Sequence, residues 1–198
     1  MSRIIKLLIV TLTIAVVSVI AFAASAQQMD DSGSQVLRFD VAEDMSRFVF
    51  DEAPVYDEDG YPAHGNSFIT IGYIYPEGTL DGTNGVLADG SPEFPDLVQG
   101  EWICRGWFIN DGAHAEKGAW VVTTQFYNFG EELGDVTLVT DGIELAEFNV
   151  PVARAITGGT GPYNTARGEA FQTFLGLNAT EGVNLSFEIN LEGVSVDS

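Results

Sequence analysis

The sequence predicts an all-β fold: an eight-stranded antiparallel β-barrel preceded by a signal peptide. Three observations predict it. No long helical periodicity follows the first 26 residues; eight runs of alternating or β-branched and aromatic residues do; and each run ends at Gly, Asn, Asp or Pro. Eight such strands can close on themselves, which removes exposed sheet edges and encloses room for side chains or one small ligand.

Residues 1–26 come first. Arg3 and Lys6 precede an uncharged apolar run from Leu7 to Ala24, and Ala24-Ser25-Ala26 supplies small residues at a cleavage point. This is the layout of a cleavable signal peptide, so the protein is expected to be secreted or periplasmic. Were the segment kept, its length would serve as a membrane anchor. Residues 27–35 are polar and unpatterned and read as a flexible lead, leaving 36–198 as a single barrel domain.

Within that domain the strands fall near 36–41, 67–75, 98–109, 118–129, 135–141, 151–157, 165–175 and 183–193. The last is the clearest. Val183, Leu185, Phe187, Ile189 and Leu191 alternate with Asn184, Ser186, Glu188, Asn190 and Glu192, which requires one buried and one wet face. Between strands, the acidic segments 51–60 and 77–95 read as loops. Asp57, Asp59 and Gly60 have the opening of a calcium loop without its later ligands, so a solvated acidic loop is the reading. The sequons at Asn178 and Asn184 matter only where secreted proteins are glycosylated.

Charge excludes several functions. With 29 Asp and Glu against 8 Lys and Arg, the chain carries a net charge of −21 and has no basic face for phosphates. Nucleic acid is therefore not an expected partner. Such acidity provides solubility or suits high salt, where counter-ions screen self-repulsion. His64 and His114 lie in Gly-rich loop segments and read as exposed; two histidines are too few for a His-rich metal centre. A single cysteine, Cys104, forms no internal disulfide. No metal or cofactor is called for.

The most specific stretch is Gly158-Gly159-Thr160-Gly161-Pro162-Tyr163-Asn164-Thr165-Ala166-Arg167-Gly168. Its glycines permit a tight reversal between two strands, and the lack of a following helix or neighbouring lysine argues against a phosphate loop. This hairpin resembles the hallmark turn of the dirigent and allene oxide cyclase superfamily, here of a secreted, bacterial or archaeal type. Two weaker similarities accompany it: Phe39-Asp40-Val41-Ala42-Glu43 is similar to the first strand, where that superfamily places an acid in the barrel. Gly100-Glu101-Trp102-Ile103-Cys104 is similar to the strand that carries a lumen cysteine in allene oxide cyclases.

The resemblance implies an eight-stranded barrel with a lumen open at one end, into which Asp40, Cys104 and Arg167 point. If Cys104 faces inward, period two brings Trp102, Gly106 and Phe108 with it. If Arg167 does, Glu169, Phe171, Thr173 and Leu175 follow. The candidate catalytic residues are then Asp40, as a desolvated proton-exchanging carboxylate, and Arg167, holding an anionic oxygen or pairing with Asp40. Trp102, Cys104, Phe108 and Phe171 would line a site for a small lipophilic molecule.

What the resemblance implies about function is confinement of a reactive apolar molecule, steering a cyclisation or isomerisation mainly by orientation. An isomerase or cyclase is one reading. A non-catalytic barrel that binds a lipophilic ligand is another, and a structural barrel with a filled interior is the third. Trimers are common among proteins of this resemblance, and the outer face of Trp-bearing strands such as 101–109 would serve as an interface.

Overall fold

A computed structural model describes residues 28–29, 34–50, 58 and 60–192. The expected signal peptide and most of the acidic loop 51–60 lie outside the described residues. Each expected strand is present: β2 (Gln35–Phe50), β3 (Ser67–Pro76), β4 (Gly100–Phe108), β5 (Ala119–Asn128), β6 (Thr137–Leu145), β7 (Pro151–Gly159), β8 (Arg167–Leu177) and β9 (Val183–Glu192). Each pairs antiparallel with its neighbour in sequence, and β9 pairs back onto β2 through Leu37↔Ile189, Phe39↔Phe187 and Val41↔Leu185. The sheet is thus a closed eight-stranded barrel. A two-residue strand, β1 (Gln28–Met29), lies in the segment read as a lead and pairs with Gln35 and Val36.

Closure fixes which residues face in. The inward set on β2 is Leu37, Phe39, Val41 and Glu43, because Phe39 stacks on Phe187 at 5.2 Å and sits edge-on to Tyr127. These rings, with Leu138, Ile189 and Leu191, fill one end of the barrel at close to zero exposure. Burial of apolar side chains at roughly 25 cal/mol per Å² makes this layer a principal stabiliser. The Gly-rich hairpin closes the same end. A single 3-10 turn, Gly161–Tyr163, folds the Tyr163 ring back against Phe129, and the Thr160 hydroxyl accepts from Thr137 N at 3.0 Å and donates to Gly134 O at 2.6 Å.

The strand β2 runs nine residues beyond the expected Val41. Its charged stretch Glu43-Asp44-Met45-Ser46-Arg47 carries no alternation of its own; pairing with β3 holds it extended across a bulge between Asp44 and Val49. The loop after β3 is a packed cover on the outside of the barrel. Leu80 and Val86 lie on Ala42 and Tyr75, the Tyr75 hydroxyl donates to Gly85 O at 2.6 Å, and the Asn184 amide donates to Asn84 O at 2.6 Å. Both sequon asparagines are thereby used inside the fold. Asn184 is fully buried, and Asn178 is buried with its amide donating to Glu43 O at 2.7 Å, so neither side chain is open to a glycan.

Candidate functional site

Two layers of aromatic rings occupy the interior, with a polar belt between them. Toward the end opposite the hairpin, Phe48, Phe68, Phe108, Trp120 and Phe174 form a chain of ring contacts with centroids 5.1–6.3 Å apart. Trp120 joins this chain because the register shifts between Ala119 and Val121, which lets Trp120 and Val121 both turn inward.

The belt centres on Glu144. Its Oε1 accepts from the Thr123 hydroxyl at 2.7 Å and from Gln125 Nε2 at 2.9 Å, with the Cys104 thiol donating at 3.7 Å. Its Oε2 accepts from Gln172 Nε2 at 2.8 Å. Arg154, 1% exposed, brings Nη1 to 3.9 Å from the same carboxylate, while its Nε donates to the Thr140 hydroxyl and its Nη2 to Thr123 O. A buried ion pair is tolerated only when its remaining donors and acceptors are met, and here they are. Glu144 and Arg154 are locked into structure. Burial, and then the charge of Glu144, push the Cys104 thiol well above its ordinary range, so it is a protonated, inert group.

Glu43 is different. It faces the same interior, 4% exposed, and burial raises its carboxyl from the ordinary 4.5 to about 7; a hydrogen bond from Val183 N at 2.8 Å opposes the shift only in part. Its cross-strand partner on β3 is Gly72, and beyond Gly72 lies Trp102 on β4. The glycine contributes no side chain, and carboxyl and indole lie on the same inward face on either side of it. On the inner face of the barrel four side chains keep buried polar atoms without partners: Thr70 Oγ1 and Trp102 Nε1 on the stretch that carries Glu43, and Asn66 Nδ2 and Oδ1 with Trp120 Nε1 toward the end opposite the hairpin. Thr70 lies near enough to Glu43 to favour its ionised form, yet Oγ1 meets no full hydrogen-bond geometry. All four belong to the inward face, Asn66 through the continuation of the β3–β4 ladder by Phe108 N donating to Asn66 O at 2.9 Å. Buried polar atoms are nearly always paired, so unpaired ones on the inner face of the barrel are free to take a polar partner.

The sequence-predicted residues divide. Trp102, Cys104 and Phe108 face inward and are buried, as the alternation on β4 requires. Asp40 does not. Phe39 and Val41 take the inward positions of β2, which turns Asp40 outward beneath the cover loop, where its Oδ2 accepts from Leu80 N at 3.0 Å and burial raises its pKa. Arg167 and Phe171 are corrected likewise. On β8 the inward residues are Ala170, Gln172 and Phe174, so Arg167 is exposed and Phe171 lies on the outer surface, half-buried. Each correction is one register step, and one step inverts the faces.

Glu43, Thr70, Glu144 and Arg154 are among the interior polar residues that sequence reasoning missed, with Asn66, Thr123, Gln125, Thr140 and Gln172. The signal for Glu43 was present, since Leu37, Phe39, Val41 and Glu43 keep a strict period of two. So was that for Arg154, which alternates with Ile156 and Val152 between the small Ala153 and Ala155. His64 and His114 are exposed, at a separate cleft of about 450 Å³. Among the described residues no cluster of His, Cys, Asp and Glu has the geometry to hold a metal.

Comparison with known proteins places the architecture. A pterocarpan synthase dirigent protein aligns with a TM-score of 0.55 at 19% identity, covering 80% of this chain and 94% of that one. The fold is that of the dirigent-type barrels. A second pterocarpan synthase dirigent protein aligns at 0.53 with 18% identity, over 80% of this chain and 88% of its own. A pyocyanin demethylase aligns at 0.48 with 17% identity, over 79% and 99%. No family model matches the chain, and no curated protein does.

Proposed function

We propose that this dirigent-like barrel binds a small, mostly apolar molecule in its lumen and steers its cyclisation or isomerisation, with Glu43 as the proton-exchanging group. The observation that carries the reading is the Glu43 carboxyl, held near neutral pKa on the inner face with Thr70 close to it and the unpartnered Trp102 indole N–H two strands away across Gly72. A carboxyl poised near working pH can both give and take a proton, which is what an acid–base step in a dry pocket needs. The aromatic chain from Phe48 to Phe174 supplies apolar contact, and the unpaired Asn66 and Trp120 groups fix orientation. Export by the segment 1–26 belongs to the same proposal, and would put the guest outside the cytoplasm.

Mass spectrometry of small molecules extracted from the native protein identifies the guest. Glu43→Gln is then expected to retain the guest while turnover falls by about a hundredfold, the usual contribution of a positioned acid or base. Asp40→Asn, altered on the outside of the barrel, should turn over like the wild type. If the native protein carries no apolar molecule and also fails to bind a neutral naphthylamine dye, the lumen is not a binding site. If guest is bound and Glu43→Gln turns over normally, the barrel binds without Glu43-dependent chemistry.

A further inference from the structure

Three rows of three run across the outer face of β4, β5 and β6, beside a fourth, polar row of Glu101, Asn128 and Thr137. Cross-strand pairing puts Ile103, Phe126 and Val139 in one row and Arg105, Thr124 and Asp141 in the next. Trp107, Val122 and Ile143 make the third. An antiparallel strand with one wet face normally presents polar side chains outward. Here six of the nine are apolar, and Trp107, Val122 and Ile143 are 53%, 40% and 38% exposed. In a chain with 29 acidic residues these three rows carry one acid and one base, at opposite ends of the middle row; the face's second acid, Glu101 in the polar row beyond, is paired with Arg47 at 3.1 Å.

That arrangement is self-complementary. A two-fold axis running along β5 keeps each row in place and exchanges β4 with β6. Arg105 of one copy then meets Asp141 of the second, and Asp141 meets Arg105. The apolar rows fall on their own counterparts, Trp107 against Ile143 and Ile103 against Val139. Both ends of the charged row are pre-set within the chain: Arg105 lies over the Phe126 ring at 5.6 Å, and Asp141 accepts from the Thr124 hydroxyl at 2.5 Å. We propose that this face is an isologous interface between two copies of the chain, packed sheet on sheet about 10 Å apart. The occupant is a second copy because its own face supplies the opposite charge at each end of the row. Long-range repulsion between two acidic molecules opposes the contact, so association is expected to tighten as salt rises.

The test is light scattering across a dilution series of protein purified after expression of the full chain. A monomer–dimer equilibrium is expected. Arg105→Asp and Asp141→Arg should each weaken dimerisation by about tenfold or more, as breaking a close interfacial charge pair does. The double exchange, Arg105→Asp with Asp141→Arg, should restore it to within about threefold of wild type, because the pair is re-formed with its signs swapped. Trp107→Asp should leave a monomer. All three positions are surface positions, and circular dichroism of the dilute variants reports whether the barrel is intact. A wild type that is monomeric throughout, a trimer, or a double variant no tighter than either single one overturns the two-fold interface.

Discussion

Glu43 keeps its proton to a higher pH in the folded barrel than in the unfolded chain, and this has a signed consequence for stability. Its folded pKa of about 7 stands above the ordinary 4.5, so between those values the native state holds more protons than the unfolded one. Its contribution to stability therefore falls as pH rises from about 4.5 to 7 and is level above that. Glu43→Gln removes the cost of ionising a buried carboxyl. The variant is expected to melt several degrees above wild type at pH 8 and at nearly the same temperature at pH 4.5, read by calorimetry at both. A difference that does not change with pH would mean that Glu43 is not buried as described. The residue was legible in the alternation of β2, and its pKa was not, because desolvation depends on walls from β3, β4 and β9 that are far away in sequence.

At the scale of elements, the hairpin between β7 and β8 shows why its glycines are where they are. Gly168 has φ +129°, and a Cβ there would stand 2.0 Å from Asn190 O on the paired strand β9. Gly118, in the turn before β5, has φ +75° with open space where a Cβ would sit. Gly168→Ala is expected to cost about 2–4 kcal/mol, since it adds a backbone collision to the unfavourable angle. Gly118→Ala should cost about 1 kcal/mol, the angle alone. Urea unfolding of the two variants compares them; equal losses would show that the approach of β8 to β9 is not the constraint. The reversal itself could be read from the glycine run. The collision could not, as it involves a strand some twenty residues further on. The inward turn of Trp120 at the β5 bulge was hidden in the same way, because a bulge breaks the period from which facing is read.

For the whole molecule, closure of β9 onto β2 converts eight amphipathic ribbons into one enclosed interior and pushes nearly all the charge outward. With a net charge of −21, the folded surface repels itself, and compactness costs more at low ionic strength. Raising sodium chloride from about 0.1 M to 1 M shortens the screening length from about 10 Å to 3 Å. The melting temperature is expected to rise by several degrees over that range, measured at fixed dilute protein; a flat response would show that the acidic charges are already neutralised by local pairing. Individual pairs such as Arg38 with Glu188 and Arg47 with Asp44 exist, but eight cations cannot offset 29 acids.

The sequence by itself determined the eight strands, their antiparallel succession, the tight corner at 158–168 and that Trp102, Cys104 and Phe108 share one face, because period two and turn chemistry are local properties. Only the tertiary structure decided that Asp40 and Arg167 face out and Glu43 faces in. Facing along a strand is a choice between two states differing by one step, and what tips it is the mate across the barrel: Phe187 and Tyr127 claim Phe39 for the interior, and a cover loop some forty residues on claims Asp40 for the outside.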